Sequence, residues 1–258
     1  MVRHLIIGAG TVGKATGIWL ESHNEQVLFF DKSKKLLRKL KEKRHNTVEE
    51  IMTDNIDLYW ICTAEWNVED VLKRIEPIDR FYMPLVIRST MKPGATEDLE
   101  LKYKLNHVAH VPEFLKEATA LDDVFHPDRI IIGTKCNNMR ARLESLYRKT
   151  HPGTPVIFTS TTTSETIKLA SNAWLATQIS FWNEIKNLCG KMEIDPQEVA
   201  NGCTLDKRIS KYGTKMIGAP FSGFCLPKDI ESMKNAFEDK NIKSEFLEMV
   251  SKINESKS

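Results

Sequence analysis

Short apolar runs alternate with longer amphipathic, charged runs over the first 160 residues of the chain. This alternation predicts βαβ units and an α/β fold with a mostly parallel sheet, because short apolar runs are typical of buried strands. The predicted strands are Leu5–Gly8, Gln26–Asp31, Leu58–Cys62, Leu85–Ser89, His107–Val111, Ile130–Gly133 and Val156–Phe158. The predicted helices between them include Val12–Ser22, Ser33–Lys43, Val68–Ile75 and Asn138–Thr150.

The pattern changes after Ser160, where helical periodicity begins. Apolar residues recur at steps of three, four or seven, which predicts one long helix over Ser164–Met192 that starts at Ser164 and Glu165. The pattern leaves open whether Gly190 ends this helix or lies in its last turn. Three shorter helices are predicted from Pro196 onward, over Asp229–Glu238 and over Ser244–Asn254.

We therefore expect two domains, a sheet domain over residues 1–160 and an all-helical domain over residues 161–258. The length of 258 residues, with 41% apolar and 28% charged residues, is ordinary for a folded chain of this kind. The long helix carries apolar residues on more than one face. Such a helix packs on a partner chain or spans its own two domains, and the two interpretations are compatible.

A glycine-rich turn, Gly8-Ala9-Gly10-Thr11-Val12-Gly13, follows the first predicted strand and opens the first helix. It matches G-x-G-x-x-G, whose glycines permit a tight turn, close approach of a pyrophosphate and close helix–strand packing. Asp31 ends the second strand, where a carboxylate binds ribose hydroxyls and repels a 2′-phosphate. The sheet domain is therefore predicted to be a Rossmann-type domain that prefers NAD to NADP, although Lys32, Lys34 and Lys35 weaken that preference. The competing interpretation is a glycine turn without a ligand.

Charge and cysteine content exclude several function classes. The chain has 37 basic and 35 acidic residues, so it lacks the positive charge expected of a protein that binds nucleic acid or an anionic membrane. Its five cysteines are widely spaced without a CxxC pair, which indicates neither a disulfide framework nor a metal site and favours the cytoplasm. The first apolar run is too short for a signal peptide, and Leu169–Asn183 is too polar to span a bilayer.

Four separated motifs carry a resemblance to one known family. They are Glu165–Ile185 in the long helix, Val111–Glu117 followed by Pro127–Ile130, the turn Ser89–Gly94, and the box Phe224–Asp229. In this order they resemble the UDP-glucose/GDP-mannose dehydrogenases, and the resemblance covers essentially the whole chain. That family normally continues into a second Rossmann-like domain that grips the nucleotide of the substrate. The resemblance therefore implies a chain that lacks this domain.

The resemblance also implies an activity and partners. It implies NAD-dependent oxidation of the primary alcohol of a nucleotide sugar to the carboxylate, as in UDP-glucose 6-dehydrogenase-like enzymes that make polysaccharide precursors. It implies a homodimer built on the long helix, and it leaves room for a separate chain that supplies the missing domain.

Oxidation of an alcohol to an acid needs two hydride acceptors and a group that holds the aldehyde. A thiolate can add to the aldehyde, give up the second hydride from the thiohemiacetal, and release the acid when water hydrolyses the thioester. Cys225 is the candidate because Lys228 and Asp229 follow it, and a nearby cation lowers the pKa of a thiol. The other cysteines are expected to be small buried hydrophobes: Cys62, Cys136, Cys189 and Cys203.

Further catalytic candidates come from the same motifs. Lys168 and Asn172 are four residues apart on the predicted helix, so they share a face that the resemblance directs at the reacting carbon. There Lys168 would stabilise an oxyanion and Asn172 would donate a further hydrogen bond. Glu113 is the candidate general base for the water that attacks the thioester. Asp229 and Thr90 are candidates for holding the water that accepts the first alcohol proton.

The remaining site residues come from the glycine-rich turn, from Asp31 and from the resemblance. The predicted cofactor contacts are Gly8, Gly10, Thr11, Val12, Gly13, Asp31, Thr63, Thr90 and Glu117. The predicted substrate contacts are Phe114, Leu115, Lys116, Lys168, Asn172, Arg208 and Gly223. Arg208 would reach the site of the partner protomer. The run Pro220–Phe224 differs from the glycine-rich sequence usual before the cysteine, so the pocket beside Cys225 is expected to differ as well.

Two alternatives stay open at this point. One is a two-electron NAD-dependent dehydrogenase that acts on a hydroxy substrate without a nucleotide. The other is a dinucleotide-binding subunit that needs a separate substrate-binding chain, or a pseudo-enzyme. Retention of Glu113, Lys168, Asn172, Cys225 and Asp229 argues against a pseudo-enzyme, because an inactive site should have drifted.

Overall fold

The computed structural model of the protein describes residues 2–51, 55–75 and 83–256. They form two compact units, residues 1–168 and residues 169–258. The first unit is built on a β-sheet and the second is helical, so the predicted α/β fold class is confirmed.

The sheet of the first unit has the strand order β2-β1-β3-β4-β5-β6-β7 within the described part of the chain. The strands are β1 (Arg3–Ile7), β2 (Gln26–Phe30), β3 (Leu58–Ile61), β4 (Leu85–Ile87), β5 (Val108–His110), β6 (Ile130–Gly133) and β7 (Val156–Thr159). Neighbouring strands pair in parallel except β5 with β6, which are antiparallel. The chain crosses from β2 over β1 to β3, so the order reverses between β1 and β3, and ligands bind at such a point in open α/β sheets.

Helices connect these strands. They are α1 (Thr11–Ser22), α2 (Lys34–Glu42), α3 (Glu65–Ile75), α4 (Ala95–Tyr103), α5 (Ala120–Phe125) and α6 (Asn137–Thr150). The apolar pattern did not predict α4 or α5. Only Thr96 and Tyr103 of α4 are buried, and α5 has six residues, so neither helix shows an extended apolar stripe.

The core of the first unit lies on both faces of the sheet. Leu5, Ile6 and Ile7 of β1 are all buried, because helices cover both sides of this central strand. Trp19 of α1 meets Trp60 of β3 edge to face, with 6.1 Å between ring centroids. The side chains of β1, β3 and β4 are packed in the core, so the positions from which the following loops start are fixed.

The long helix α7 spans Thr161–Met192 and contains 32 residues. It begins earlier than predicted because Ser160 supplies the cap, with its hydroxyl accepting a hydrogen bond from the Thr163 N–H over 3.0 Å. Gly190 lies inside its last turn. The first compact unit ends at Lys168, so Thr161–Lys168 belong to that unit and the remaining turns belong to the second.

The second unit contains α8 (Pro196–Cys203), α9 (Cys225–Glu238) and α10 (Glu245–Glu255) besides the rest of α7. Its core joins Ile179 of α7, Ile230 of α9 and Leu247 of α10. Helix α9 starts at Cys225 and not at Asp229 as predicted, because Pro227 is tolerated in a first turn, whose N–H groups have no intrahelical acceptor. No helix among the described residues is both long and apolar enough to cross a bilayer.

Candidate functional site

The glycine turn after β1 has backbone geometry that side chains would disrupt. Gly8 has φ +100°, and its N–H donates to the Phe30 carbonyl over 2.9 Å. A Cβ on Gly13 would lie 1.8 Å from the Gly8 carbonyl oxygen. A Cβ on Gly10 would meet nothing within 4 Å, so the turn is open to a ligand at Gly10 and closed by packing at Gly13.

A cleft of about 310 Å³ adjoins this turn at the point where the strand order reverses. It brings together four predicted cofactor residues, and its lining includes Gly8, Gly10, Asp31 and Thr63. The Asp31 carboxylate accepts hydrogen bonds from the N–H groups of Ala9 and Ser33, each over 2.7 Å. Its position at the end of β2, beside open glycine backbone and the start of α1, fits a dinucleotide with its pyrophosphate at the helix N-terminus.

Glu113 and Lys168 form a buried ion pair in the first unit. Lys168 Nζ lies 3.1 Å from Glu113 Oε1, and the residues are 3% and 8% exposed. Glu113 Oε2 also accepts the Leu115 N–H over 2.7 Å, which fixes the carboxylate in the turn that follows β5. The two predicted catalytic residues are therefore brought together, and each neutralises a charge that would be costly to bury alone.

Phe114 lies beside this pair. Lys168 Nζ is 5.4 Å from the centre of its ring, and the Arg129 guanidinium is 4.1 Å from it. The aromatic face thus contacts two cations. Lys116 and Glu117, further along the same segment, are exposed.

Two carboxylates hold the turn that follows Thr90, and we call Glu65 and Glu165 the carboxylate clamp. Glu65 Oε1 accepts the Lys92 N–H over 2.8 Å, while Glu165 accepts the N–H groups of Gly94 and Thr96 over 2.6 and 2.8 Å. Glu165 is fully buried. Burial raises the pKa of its carboxyl to about 7, although hydrogen bonds from Thr96 and Gly94 lower it.

The sequence pattern places Glu165 at a helix start and does not predict its hydrogen bonds to the turn after Thr90. The available signal was its spacing from Lys168: residues three apart share a helix face, so a carboxylate there faces the same unit as the predicted catalytic ammonium. Thr90 itself is half-buried, directly before the turn that the carboxylate clamp fixes.

Asn172 and Asp229 are brought together in the second unit. Asn172 Nδ2 donates to Asp229 Oδ2 over 2.5 Å, and Asp229 is 1% exposed. Lys228 pairs with the other carboxylate oxygen of Asp229. Lys228 was predicted as the cationic neighbour of the Cys225 thiol. Its ammonium forms an ion pair with the Asp229 carboxylate.

Cys225 is exposed and is the first residue of α9. Gly223, just before it, has φ +79°, so the chain enters the helix through a left-handed residue. The thiol therefore lies at a helix N-terminus, where the positive end of the helix dipole favours a negative group.

The other cysteines differ in exposure. Cys62 packs against the core of the first unit, and burial raises the pKa of its thiol to about 12, as expected of an inert cysteine. Cys189 is buried and Cys136 is half-buried. The expectation of burial is wrong for Cys203, which is exposed at the last residue of α8.

Arg208 is exposed and bound to Asp206, with Nη2 2.6 Å from Oδ2. It lines a largely apolar groove of about 460 Å³ together with Trp174, Phe181 and Phe246 of the second unit.

Models of two domains of one family match the chain. The NAD binding domain of the UDP-glucose/GDP-mannose dehydrogenase family matches residues 65–151, and the central domain of the same family matches residues 162–256. The chain belongs to this family. The resemblance inferred from the four motifs is thereby confirmed, and so is NAD as the cofactor of the first unit.

Curated relatives are similar over part of their length. The UDP-glucose 6-dehydrogenase of Rickettsia typhi is 37% identical over 175 residues, which are 66% of this chain and 40% of that protein. The UDP-glucose 6-dehydrogenase YwqF of Bacillus subtilis is 38% identical over 196 residues, 73% of this chain and 44% of that protein. The chain thus spans less than half the length of these relatives.

Solved structures share the fold. A UDP-glucose dehydrogenase from the archaeon Pyrobaculum islandicum superposes with a TM-score of 0.86 at 25% identity, over 99% of this chain and 68% of that one. A UDP-D-ManNAc dehydrogenase from Pyrococcus horikoshii gives a TM-score of 0.85 at 20% identity, over 99% and 69%.

Proposed function

We propose that the protein catalyses the NAD-dependent oxidation of the primary alcohol of a nucleotide sugar to a carboxylate. The observation that carries the proposal is the buried pair of Glu113 and Lys168 in a chain of the UDP-glucose/GDP-mannose dehydrogenase family. NAD supplies a two-electron acceptor in each of the two oxidations. The chain itself supplies charge stabilisation, proton transfer and a nucleophile.

The first unit contributes the charged groups. The Lys168 ammonium is held in place by Glu113, so it is oriented before any charge develops on a reacting oxygen. Glu113 is the base that takes a proton from the hydrolytic water, since its carboxylate is fixed in place by the Leu115 N–H. Thr90 is the hydroxyl that holds a water for the first alcohol proton.

The second unit contributes the nucleophile. The Cys225 sulfur adds to the aldehyde carbon, while the aldehyde oxygen takes a proton and becomes the hydroxyl of a thiohemiacetal. Loss of two electrons and two protons in all gives the thioester, and water then releases the acid and restores the thiol. Asn172 and Asp229 position the reacting oxygens, and their mutual hydrogen bond supports this role because it fixes both side chains.

The same proposal includes a preference for NAD over NADP. Asp31 supports it, because a carboxylate at the end of β2 repels a 2′-phosphate. Lys32, a residue that could oppose this preference, has its ammonium 3.7 Å from the Asp70 carboxylate. Calorimetric titration of both cofactors tests the preference, and equal or tighter binding of NADP would contradict it.

We further propose a cytoplasmic homodimer built on α7. Trp174, Phe181 and Leu188 follow one another at steps of seven and are half or more exposed, which leaves an apolar stripe that a second copy would cover. Arg208 lies at the groove beside this stripe and would reach the partner's site. Light scattering at micromolar concentration tests this, and a monomer would refute both the dimer and the role of Arg208.

The decisive experiment counts NADH formed per molecule of substrate consumed, in a screen of UDP-sugars, GDP-sugars and small hydroxy acids at high concentration. Two NADH per nucleotide sugar supports the proposal. The Cys225→Ser variant should stop at or after the aldehyde, and Lys168→Ala should slow both oxidations by about 10²- to 10³-fold. One NADH from a hydroxy acid, undiminished in Cys225→Ser, would contradict it. Activity that appears only when a second chain is added would show that the second chain is needed to bind the substrate.

A further inference from the structure

The chain that leads into Cys225 is irregular. Residues 217–224 connect a short 3₁₀ turn, Gly213–Met216, to the start of α9, and they form neither helix nor strand. Backbone N–H and C=O groups in such a segment need hydrogen-bond partners from elsewhere in the fold. The partners of this segment therefore decide how firmly the entry to α9 is held.

Asn183 of α7 binds the beginning of the segment. Its Oδ1 accepts the Gly218 N–H over 2.7 Å, and its Nδ2 donates to the Ala219 carbonyl over 2.8 Å. Gly218 has φ +89°, so the chain turns through a left-handed residue at this contact. The Asn183 side chain is fully buried, so water does not compete for its amide.

Asn254 of α10 binds the end of the segment. Its Oδ1 accepts the Phe221 N–H over 2.7 Å, and its Nδ2 donates to the Phe221 carbonyl over 3.0 Å. The Phe221 side chain is buried in the core of the second unit. Helix α10 is itself tied to α7, because the Ser180 hydroxyl donates to the Val250 carbonyl over 2.9 Å. Both asparagines therefore act from one framework of helices.

We call Asn183 and Asn254 the asparagine pair. Ala219 donates its N–H to the Met216 carbonyl over 3.0 Å, and Pro220 has no N–H. Every backbone N–H of residues 218–221 thus has an acceptor, and two of the three acceptors belong to the asparagine pair. An asparagine amide carries a donor and an acceptor side by side, as a backbone peptide does. The pair therefore replaces the neighbouring strand that this segment lacks.

Cys225 lies between two fixed points. Phe221, four residues before it, is held by Asn254, and Asp229, four residues after it, is 1% exposed and bonded to Asn172. The residues between Phe221 and Cys225 are all exposed, so they add no anchor of their own. The position of the sulfur therefore depends on the anchors on both sides.

We propose that Asn183 and Asn254 are positioning residues for the Cys225 thiol. By fixing the segment before it, they keep the thiol in the first turn of α9, in the orientation that the second oxidation needs. This proposal rests on the proposed function, in which Cys225 is the nucleophile of that step.

The first test separates the two oxidations. The substrates are the nucleotide sugar that yields two NADH in the screen and its 6-aldehyde, which isolates the second oxidation. Asn254→Ala should lower kcat for the aldehyde by about 10- to 100-fold and leave its KM unchanged, because a displacement of about 1 Å can cost about 10²-fold in rate. The first NADH of a single turnover with the alcohol should form at the wild-type rate. Asn183→Ala should show the same split between the two oxidations.

Variants of similar size distinguish hydrogen bonding from packing. Asn254→Asp keeps the shape but turns a carboxylate oxygen towards the Phe221 carbonyl, so it should be as slow with the aldehyde as Asn254→Ala. Asn254→Gln keeps a donor and an acceptor and should recover part of the rate. Asn201→Ala is the matched control, since this exposed asparagine of α8 binds only the Gln197 side chain through its amide, and it should oxidise both substrates like the wild type.

The second test needs no substrate. Iodoacetamide alkylation of Cys225 at pH 7 is measured by peptide mass spectrometry against Cys203, which is exposed at the last residue of α8. A loosened segment lets the thiol leave the helix N-terminus, where a thiolate is favoured, so the ratio of the Cys225 rate to the Cys203 rate should fall by roughly 2- to 5-fold in Asn254→Ala.

The two tests fail separately. If the wild type forms no second NADH from any nucleotide sugar, the proposed function is wrong, and the alkylation ratio alone decides the role of the asparagine pair. If the wild type forms two NADH, equal slowing of both oxidations in Asn254→Ala would indicate a merely structural role and overturn the proposal. Wild-type aldehyde oxidation in Asn254→Asp, or an alkylation ratio unchanged in both alanine variants, would overturn it as well.

Discussion

Lys168 Nζ lies 3.1 Å from Glu113 Oε1 with both side chains buried, so each charge depends on the other. Lys168→Met should lower the free energy of unfolding by about 3–5 kcal/mol, because it leaves the Glu113 carboxylate buried without its cation. The double variant Lys168→Met/Glu113→Gln should recover part of this loss. Urea unfolding of Lys168→Met, Glu113→Gln, the double variant and the wild type measures the coupling.

Lys243→Met is the control for this cycle, because Lys243 pairs with Glu245 at the surface and its removal should change the stability little. A double variant that is as unstable as the sum of the two single variants would show that Lys168 and Glu113 do not depend on each other.

Gly10→Ala and Gly13→Ala should separate ligand binding from folding. Gly10 has φ −68°, which alanine adopts, and a Cβ there has open space, so this variant should fold normally and lose NAD affinity as its methyl group enters the cleft. Gly13→Ala should lose about 3 kcal/mol or more, because its Cβ would overlap the Gly8 carbonyl oxygen. Thermal unfolding and NAD titration of both variants check this. A Gly10→Ala protein with wild-type affinity would remove Gly10 from the site.

Glu165 should make the stability of the protein depend on pH. Its pKa of about 7 in the folded protein exceeds the ordinary value of 4.5, so the folded state binds a proton more tightly than the unfolded chain between these values. Its contribution to the free energy of unfolding is therefore fully present below about pH 4.5 and falls by roughly 3 kcal/mol as the pH rises to about 7.

Urea unfolding between pH 5 and pH 8 tests this in the wild type and in Glu165→Gln. The unfolding free energy of the wild type should fall relative to that of Glu165→Gln as the pH rises, because glutamine does not titrate. Glu198→Gln, at an exposed position of α8, should run parallel to the wild type at every pH. A difference between wild type and Glu165→Gln that stays constant over this range would refute the raised pKa.

The buried Asp229 carboxylate should tolerate loss of its hydrogen bond from Asn172 better than it tolerates a second negative charge at that position. Asn172→Ala removes one donor from a carboxylate that still has Lys228, so it should cost about 1–3 kcal/mol. Asn172→Asp should cost more, because it places a second carboxylate within hydrogen-bond distance of Asp229. Thermal unfolding at pH 7 ranks the two, and an Asn172→Asp protein as stable as Asn172→Ala would contradict the buried contact.

The strands of the sheet could be predicted from the sequence because short apolar runs such as Leu58–Ile61, placed between longer charged runs, are typical of strands in an α/β fold. The polar helix α4 could not. Its N-terminus is held by Glu165, 69 residues away from Thr96, and local periodicity contains no trace of such a long-range contact. The start of α7 was missed for a local reason, since the capping hydroxyl belongs to Ser160 and not to Ser164.

The candidate site divides in the same way. The places of Gly8, Gly13 and Asp31 in the fold could be predicted because one turn and one strand set their spacing, while their contacts with the cofactor stay a prediction. The hydrogen bond from Arg88 to Tyr147 joins residues that are 59 positions apart, and the hydrogen bond from Thr96 to Glu165 joins residues that are 69 positions apart. Only the folded chain brings these facts together.

The first turns of α7 belong to the first unit and its later turns belong to the second. The boundary between the units therefore does not coincide with Ser160, where the hydrophobic pattern of the sequence changes. In a chimaera that joins residues 1–160 of this protein to the helix of a relative, positions 165 and 168 come from the relative. These positions supply one carboxylate of the carboxylate clamp and the partner of Glu113. Exchange of modules between relatives should therefore succeed at a joint after Lys168, and at residue 160 only when the donor helix carries both side chains at the same spacing.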